Sequence, residues 1–315
     1  MVQTTHIGIV FNPSKGARDD LEQAVAAATA DAGGPAVTWH ETEVDDPGIS
    51  ATRAALEAGA DLVLAAGGDG TVRAVAAHLA ESGATAELGI IPLGTGNLLA
   101  RNLGVPLGRV SNAVERALTG QARAIDVGWA ELEGPEVSGR YAFAVMAGFG
   151  IDAHMITETD DDLKDKAGWV AYVESLGRAV TASEVLDVTL DFGDGETEDD
   201  RAHTLIVGNC GTLQGGFTLL PDADPSDGVL DLFVLDAEGV GGWMDTLKNV
   251  VWDNGLARAF GGGQKAASSE SVTHRQLASL ELTLAEPRVF EVDGDDLGEV
   301  TRAAISIQPG AIRVR

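Results

Sequence analysis

The stretch Ala66–Arg73, AGGDGTVR, places three glycines around a single aspartate. The apolar segment DLVLAA (Asp61–Ala66) precedes it, and the alanine-rich pattern VRAVAAHLA follows it. This order predicts a buried strand, a turn with almost no side chains, and then a helix. Glycines let main-chain N–H groups approach an anion closely, and a helix N-terminus favours negative charge. We therefore expect phosphate at this turn, with Thr71 capping the helix.

Asp69 at the centre of the turn sharpens this interpretation. A carboxylate beside bound phosphate repels it unless a cation such as Mg²⁺ lies between them. The Lys-Ser/Thr pair of a Walker A loop does not follow, so the stretch is not a P-loop. The alternative that stays open is a tight turn whose glycines serve only packing.

The first 130 residues repeat the strand-then-helix pattern. Short apolar segments predict strands, and amphipathic stretches between them predict helices; the segments are HIGIVF, AVTWH, DLVLAA and ELGIIPLG. Such repeats predict an α/β domain with a doubly wound parallel sheet. Ligands of these sheets bind at the carboxyl ends of the strands.

Two further loops should lie at that same edge. The segment Ile90–Pro106, IIPLGTGNLLARNLGVP, carries Thr95 and Asn97 at another strand-to-helix junction. The segment Phe11–Gly16, FNPSKG, ends the first strand and offers Asn12, Ser14 and Lys15. Three polar, glycine-bearing loops at one edge predict a nucleotide site.

The character of the sequence changes after the first domain. Short β-rich segments joined by Asp-Gly or glycine-rich turns predict a mostly antiparallel, sandwich-like second domain; they are EVLDVTLDF, AHTLIVGN, VLDLFVLD, QLASLELTL and PRVFEV. Helical inserts are expected at about Ala153–Val180 and Gly241–Phe260, followed by a mobile loop at Gly261–Val272.

Composition excludes some functions. The net charge of −28 opposes nucleic-acid binding, which needs Lys and Arg against phosphates. A single cysteine, Cys210, permits no internal disulfide and fits a reducing cytosol. No apolar run is long enough to span a bilayer, and the N-terminus is predicted to be a strand instead of a signal peptide.

The motifs NPSKG, GGDGT, PLGTGN, GFGIDA and VDGD occur in the order of the diacylglycerol kinase catalytic family, which the chain resembles over nearly its whole length. That family includes bacterial lipid kinases and sphingosine kinases, and it shares its fold with NAD kinases. The resemblance implies a nucleotide-binding domain of residues 1–127 plus 304–315. It also implies a β-rich lipid-substrate domain of residues 128–303.

The resemblance assigns residues to ATP and to metal. Asp69 would help organise Mg²⁺ and the phosphates, as one of two catalytic residues. The side chain of Asp227, with the backbone carbonyls of Asp224 and Val229, would hold a structural Mg²⁺; an acidic turn is the alternative. The predicted ATP contacts are Asn12, Pro13, Ser14, Lys15, Gly16, Thr42, Gly67, Gly68, Asp69, Gly70, Thr71, Val72, Arg73 and Thr95.

The second catalytic residue lies in FEVDGDDLGEV (Phe290–Val300). The family has Asp-Gly-Glu here, and the acidic residue after glycine takes the proton from the lipid hydroxyl. This chain has Asp295 instead, one methylene shorter, with Asp296 as a rival. The alternative is that Asp293-Gly294 is only a type I′ turn. Leu98 and Ala74 also replace acidic residues common in relatives, which leaves the lipid acceptor open.

The sequence thus predicts an enzyme that transfers the γ-phosphate of MgATP to a lipid hydroxyl, with diacylglycerol as the first acceptor to test. The alternatives are an NAD kinase and a non-catalytic nucleotide- or lipid-binding protein. The expected partner is a lipid at a membrane surface, reached by peripheral contact from the cytoplasm; a homodimer stays open. Trp243 and neighbours in GGWMDTLKNVVWDNGLARAF would form an apolar foot or ordinary core, and Trp169 and Tyr172 are candidate lipid contacts.

Overall fold

The computed structural model describes residues 4–16, 18–30, 34–150, 185–193, 195, 197–214, 218–236 and 272–315. The described chain forms two compact units. Unit 1 comprises residues 1–127, 225–227 and 308–315, and unit 2 comprises residues 128–224 and 228–307. Among the described residues, no helix is both long enough and apolar enough to cross a bilayer.

The elements are named in chain order. The helices are α1 Arg18–Ala28, α2 Ile49–Glu57, α3 Asp69–Ser82, α4 Leu98–Asn102 and α5 Val110–Thr119. The strands are β1 His6–Phe11, β2 Ala36–Glu41, β3 Leu62–Gly67, β4 Glu87–Pro92, β5 Arg123–Glu133, β6 Ser138–Phe143, β7 Met146–Phe149, β8 Leu186–Asp191, β9 Thr197–Ala202, β10 Thr204–Gly208, β11 Leu230–Leu235, β12 Val272–Leu277, β13 Ser279–Val292 and β14 Asp295–Val314.

Unit 1 is built on a parallel sheet in the order β4-β3-β1-β2. Every residue of β3 is buried, as expected for a strand with helices on both faces. At the end of the chain, Val314 pairs in parallel with Leu88 of β4, and the N–H of Arg315 donates to the carbonyl of Leu88 at 3.0 Å. The predicted doubly wound α/β sheet is confirmed.

Unit 2 is antiparallel. Its strands follow the order β12-β11-β10-β7-β13-β14, while β8 pairs with β13 and β9, and β5 pairs with β6 and β14. Its core is made of alternating inward residues such as Leu205, Leu232, Leu282, Phe290 and Ile305. The prediction of a β-rich antiparallel domain is confirmed.

One long strand in unit 2 replaces two predicted ones. We expected QLASLELTL and PRVFEV to be separate, but β13 contains SLELTL of the first and all of the second, while Gln276 and Leu277 end β12. The register shifts between Thr283 and Arg288, where the strand contains Pro287. Proline lacks the N–H that a ladder needs and is found at strand edges and bulges, so the sequence break marks a bulge and not a strand end.

Several predicted features lie outside the described residues. These are the helical inserts at about Ala153–Val180 and Gly241–Phe260, the loop 261–271, and the aromatic candidates Trp169, Tyr172 and Trp243.

Candidate functional site

The polar loops of unit 1 follow neighbouring parallel strands. Asn12 comes directly after β1, Gly68 after β3 and Leu93 after β4. The N–H of Asn12 donates to the carbonyl of Ala66 at 3.0 Å, and the N–H of Leu93 donates to the carbonyl of Gly67 at 2.9 Å. The three loops are therefore tied together at the carboxyl edge of the sheet, where such folds bind ligands.

The β3–α3 and β4–α4 loops touch through glycines. A Cβ on Gly94 would lie 2.6 Å from the Cα of Gly68, and one on Gly96 would lie 2.7 Å from Oδ2 of Asp69. A Cβ on Gly67 would lie 2.5 Å from Oγ1 of Thr71. Three of the glycines are thus required by packing. Gly68 differs, because its Cβ would meet nothing closer than 3.5 Å.

Asp69 clamps the second loop to the first. Its Oδ2 accepts the N–H of Asn97 at 2.7 Å, and its Oδ1 accepts the N–H of Leu98 at 2.5 Å. Asn97 is the N-cap residue of α4 and Leu98 is the first residue of the helix, and the side chain of Asn97 makes no capping bond. The carboxylate therefore caps a helix 28 residues further along the chain and satisfies donors that would otherwise lack partners.

Asn97 closes the second loop on itself. Its backbone is left-handed, with φ +49°, a conformation that asparagine adopts more readily than most residues. Its side-chain Oδ1 accepts the N–H of Gly94 at 3.0 Å, and its Nδ2 donates to the carbonyl of Gly94 at 2.6 Å. Arg101 adds a bond from Nε to the carbonyl of Gly96 at 2.7 Å. The PLGTGN loop is a self-bonded turn.

The prediction that Thr71 caps α3 is wrong. The helix begins at Asp69 with Gly68 as N-cap, so Thr71 lies inside the first turn. Its side chain is buried and packs against Gly67, while Nδ2 of Asn12 approaches Oγ1 of Thr71 at 3.5 Å. Thr71 therefore joins α3 to the first loop and leaves the helix N-terminus without a side-chain cap.

The first loop is organised by Asn12. Its Oδ1 accepts the N–H of Ser14 at 3.0 Å and the hydroxyl of Ser14 at 2.7 Å. The N–H of Lys15 donates to the carbonyl of Asn12 at 3.1 Å. This turn leaves the side chain of Lys15 exposed, where its ammonium can meet an anion.

The remaining predicted ATP contacts differ in exposure. Pro13, Gly16 and Thr95 are exposed, and Arg73 is half-buried. The side chains of Thr42 and Val72 are buried, and the N–H of Thr42 donates to the carbonyl of Phe11 at 2.9 Å. Any role of Val72 in nucleotide binding therefore falls to its main chain.

The β3–α3 turn fits a phosphate, and Asp69 fits a divalent cation. The α3 N-terminus carries no side-chain cap, and Gly68 there is extended and has room beside it. A carboxylate oxygen is the kind of ligand that Mg²⁺ prefers, so the residue type at position 69 suits a divalent cation. The structure thus shows the tight packing of this turn, and the binding of an anion there stays a prediction.

The predicted structural metal segment is a turn ahead of β11. The side chains of Asp224 and Asp227 are exposed, and Val229 is half-buried. Gly228 between them has φ +79°, which favours glycine. The carbonyl of Pro225 accepts the N–H of Asp126 at 2.7 Å, and Oδ1 of Asp126 accepts the N–H of Gly310 at 2.6 Å. Among the described residues, no group of three or more His, Cys, Asp or Glu side chains has metal-site geometry.

Asp295 belongs to unit 2, at the start of β14. Asp293 and Gly294 have φ +49° and +85°, and Val292 pairs with Asp295. The expected two-residue turn is therefore present. Asp295 and Asp296 are both exposed, and Oδ1 of Asp296 accepts the N–H of Gly298 at 2.7 Å.

Two important residues were missed as site residues from the sequence. The sequence marks Asn97 as a polar member of its loop, and an asparagine between glycine and a helix is also a signal for a left-handed turn. The sequence indicates only a turn at Asp293, yet its carboxylate is buried and bonded to three backbone amides. The Asp-Gly pair predicts the turn, but nothing in the local sequence predicts that the carboxylate binds the amides of residues 144–146.

Comparison with known families divides the chain in two. Residues 6–130 match the family described as "Diacylglycerol kinase catalytic domain". Residues 145–315 match the "YegS C-terminal NAD kinase beta sandwich-like domain".

Curated relatives align over most of the chain. The "Probable lipid kinase YegS-like" of Pseudomonas aeruginosa PAO1 is 33% identical over 312 residues, covering 97% of this chain and 92% of the relative. A protein with the same description from Pectobacterium atrosepticum is 30% identical, with 98% and 94% covered. The "Diacylglycerol kinase" of Bacillus subtilis is 29% identical over 229 residues, 72% of each chain.

Solved structures agree on the fold. A crystal structure of a diacylglycerol kinase from Bacillus anthracis superposes with a TM-score of 0.68 at 22% identity, covering 100% of this chain and 97% of that one. With its two domain matches and its full-length relatives, the chain belongs to the family of the YegS-like lipid kinases, with a diacylglycerol kinase catalytic domain and a YegS C-terminal domain.

Proposed function

We propose that this kinase transfers the γ-phosphate of MgATP to the hydroxyl of a lipid, with diacylglycerol as the first acceptor to test. The observation that carries the proposal is the clamped pair of loops in unit 1. Asp69 holds Asn97 and Leu98 there and leaves the uncapped start of α3 at the sheet edge. The names of the curated relatives support a lipid acceptor.

The residues of the first unit would bind the phosphates. The N–H groups at the start of α3 offer hydrogen bonds and the positive end of the helix, and Gly68 lets the phosphate come close. Lys15 adds an exposed ammonium. Asp69 would hold a divalent ion, which when bound neutralises charge on the transferring phosphoryl group.

Asp295 would act as the base. The lipid oxygen forms a bond to the γ-phosphorus, the bond from that phosphorus to the bridging oxygen breaks, and ADP leaves. The proton of the lipid hydroxyl passes to the carboxylate of Asp295. Asp296 is the rival, although the family motif that the chain resembles has its acidic residue directly after glycine, at the position of Asp295. Adjacent residues of a strand also point to opposite faces.

One assay tests this proposal. The purified protein receives γ-labelled ATP and Mg²⁺ with a panel of lipids in mixed micelles, and separately with NAD. We expect label on a lipid, loss of labelling in Asp295→Asn, and labelling retained in the matched variant Asp296→Asn. Equal rates for wild type and Asp295→Asn would remove Asp295 from the mechanism.

The other outcomes select the alternatives. Label on NAD alone would identify an NAD kinase, to which the second domain is related by its family description. Tight nucleotide binding without label on any acceptor would identify a non-catalytic binding protein.

The remaining assignments belong to the same proposal. Asp227, with the carbonyls of Asp224 and Val229, would hold a structural Mg²⁺; isothermal titration with Mg²⁺ on wild type and Asp227→Asn tests this. The protein would act in the cytoplasm and contact the membrane peripherally, which cell fractionation and vesicle flotation test. Light scattering after gel filtration tests the homodimer.

A further inference from the structure

The turn between β13 and β14 contains a buried carboxylate. Asp293 is only 6% exposed, although it occupies the first position of a two-residue turn, where side chains normally face solvent. Burying a charge is expensive unless it is paired or hydrogen-bonded. Its partners therefore identify what this turn is attached to.

The carboxylate of Asp293 binds three consecutive main-chain amides. Its Oδ2 accepts the N–H of Ala144 at 2.9 Å, and its Oδ1 accepts the N–H groups of Val145 at 2.8 Å and Met146 at 3.0 Å. The N–H of Asp293 in turn donates to the carbonyl of Met146 at 2.9 Å. Hydrogen bonds to an ionised acceptor are roughly twice as strong as neutral ones. We call residues 144–146 the amide segment.

The amide segment is also held from its other side. Nδ2 of Asn209 donates to the carbonyl of Ala144 at 3.0 Å, and the N–H of Asn209 donates to the carbonyl of Val145 at 2.8 Å. The N–H of Cys210 shares that carbonyl of Val145 at 3.0 Å. Asn209 is 1% exposed. The amide segment is therefore a fixed support and not a loop that Asp293 could pull toward itself.

This support fixes the backbone that carries Asp295. Asp293 and Asp295 are separated by Gly294 alone. The residue before Asp293, Val292, pairs with Ala147, which directly follows the amide segment. An aspartate has one side-chain torsion fewer than the glutamate of the family motif, so its carboxylate depends more on where the backbone stands. A misplacement of about 1 Å can reduce a rate by about 100-fold.

We propose that Asp293, bound to the amide segment, is a positioning residue that places the Asp295 carboxylate for proton transfer. The inference rests on the proposed function, because it gives Asp293 a part in the same reaction. A purely structural Asp293 would affect stability alone. A positioning Asp293 affects kcat through Asp295 and leaves nucleotide binding unchanged.

The kinetic test uses Asp293→Asn. An asparagine offers one acceptor oxygen and turns an NH₂ group toward backbone donors, so it cannot satisfy all three amides. With dioctanoylglycerol in mixed micelles, we expect kcat to fall by up to about 100-fold while KM for MgATP stays within about twofold. The double variant with Asp295→Asn should be no slower than Asp295→Asn alone, because residues acting through one another are non-additive. Unchanged kcat, or losses that multiply, would overturn the proposal.

A second measurement is independent of activity. Hydrogen exchange is followed in peptides covering 144–149 and 290–300, for wild type, Asp293→Asn and the control Asp191→Asn. Asp191 accepts the N–H of Gly193 at 2.8 Å in another turn of unit 2. We expect faster exchange in both peptides for Asp293→Asn only. If exchange at 295–300 does not change, Asp293 does not place Asp295.

These two measurements separate the proposals. If the wild type labels no lipid, the proposed function fails. The exchange measurement still shows whether Asp293 fixes the backbone around Asp295. Should Asp293→Asn fail to fold, Asn209→Ala loosens the same amide segment and keeps the hairpin intact. Its kcat should also fall at constant KM for MgATP, and an unchanged kcat would contradict the proposal.

Discussion

The carboxylate of Asp69 accepts the backbone N–H of Asn97 at 2.7 Å, although the two residues lie in different loops, 28 positions apart. The aspartate of the GGDGT motif thus holds the start of α4, whatever its part in phosphate binding. The two predicted loops form one unit through this carboxylate. Their behaviour under mutation should therefore be coupled.

Asp69→Asn should destabilise the protein even without nucleotide or metal. Asparagine replaces two charge-assisted bonds by at most one neutral bond, and a hydrogen bond to a charged group contributes about 1.5–3 kcal/mol. Urea unfolding in EDTA, with Asp19→Asn of the first turn of α1 as control, measures the change. An aspartate that acts only on Mg²⁺ would leave stability in EDTA unchanged.

Gly94→Ala should lower the stability of the protein, whereas Gly68→Ala should weaken only the binding of MgATP. A Cβ on Gly94 would lie 2.6 Å from the Cα of Gly68, so the two loops must separate, at a cost of about 1–3 kcal/mol. A Cβ on Gly68 meets only an ordinary contact at 3.5 Å, and its backbone, φ −90°, suits alanine.

We therefore expect Gly94→Ala to unfold at lower urea, and Gly68→Ala to keep wild-type stability while its KM for MgATP rises. Urea unfolding and steady-state kinetics of the pair measure both effects. Equal KM values for Gly68→Ala and wild type would place the phosphate away from this turn.

Asp46 should stabilise α2 in a pH-dependent way. Burial alone raises the pKa of its carboxyl, but the Ser50 side chain and the N–H groups of Ser50, Gly48 and Ile49 outweigh this and lower the pKa from 3.8 to about 2. The group is ionised in the folded state where the unfolded chain binds a proton. Its contribution is therefore fully present above about pH 4 and is lost as pH falls toward 2.

Asp46→Asn should accordingly cost about 1 kcal/mol at pH 7, in the range of helix caps, and progressively less below pH 4. Urea unfolding at several pH values, with the exposed neighbour Asp45→Asn as control, follows the difference. A constant difference across the range would mean that the charge of Asp46 plays no part.

Acidification from pH 7 to 5 should lower stability through three histidines. Burial lowers the pKa of His40, His78 and His274 below 6.5, with nearby His6 adding to the effect at His40 and Arg53 at His78. At acidic pH the unfolded chain then binds more protons than the folded one. The contribution of these histidines to stability is therefore fully present above the unfolded pKa and is lost as the pH is lowered. The slope of the free energy of unfolding against pH should flatten when all three are replaced by glutamine. An unchanged slope would assign the dependence to other groups.

Much of unit 1 could be predicted from local pattern. The stretch DLVLAA was expected to be a strand at Asp61–Ala66, and the structure has Leu62–Gly67. Short apolar runs bounded by polar residues and glycine carry this signal. The strands β9 (TEDDRA) and β12 (VTHRQL) of unit 2 were not predicted, because both segments are polar. They join the sheet through backbone hydrogen bonds, which composition does not reveal.

The edge position of the three loops also followed from the sequence, since strand-helix repeats place every such loop at one end of a parallel sheet. The partners of the side chains did not follow. Thr71 turned inward because the helix starts three residues earlier than expected. Gly94 proved to be a packing glycine because Gly68 lies against it.

The order of apolar and glycine-rich segments along the chain was sufficient for the fold class, the sheet edge and the family resemblance, because periodicity and turn chemistry are local properties. Tertiary structure alone assigned Asp69 to the amides of Asn97 and Leu98, and Asp293 to residues 144–146. A buried carboxylate takes whichever donors packing brings within 3 Å, and those donors come from chain segments that local sequence cannot identify.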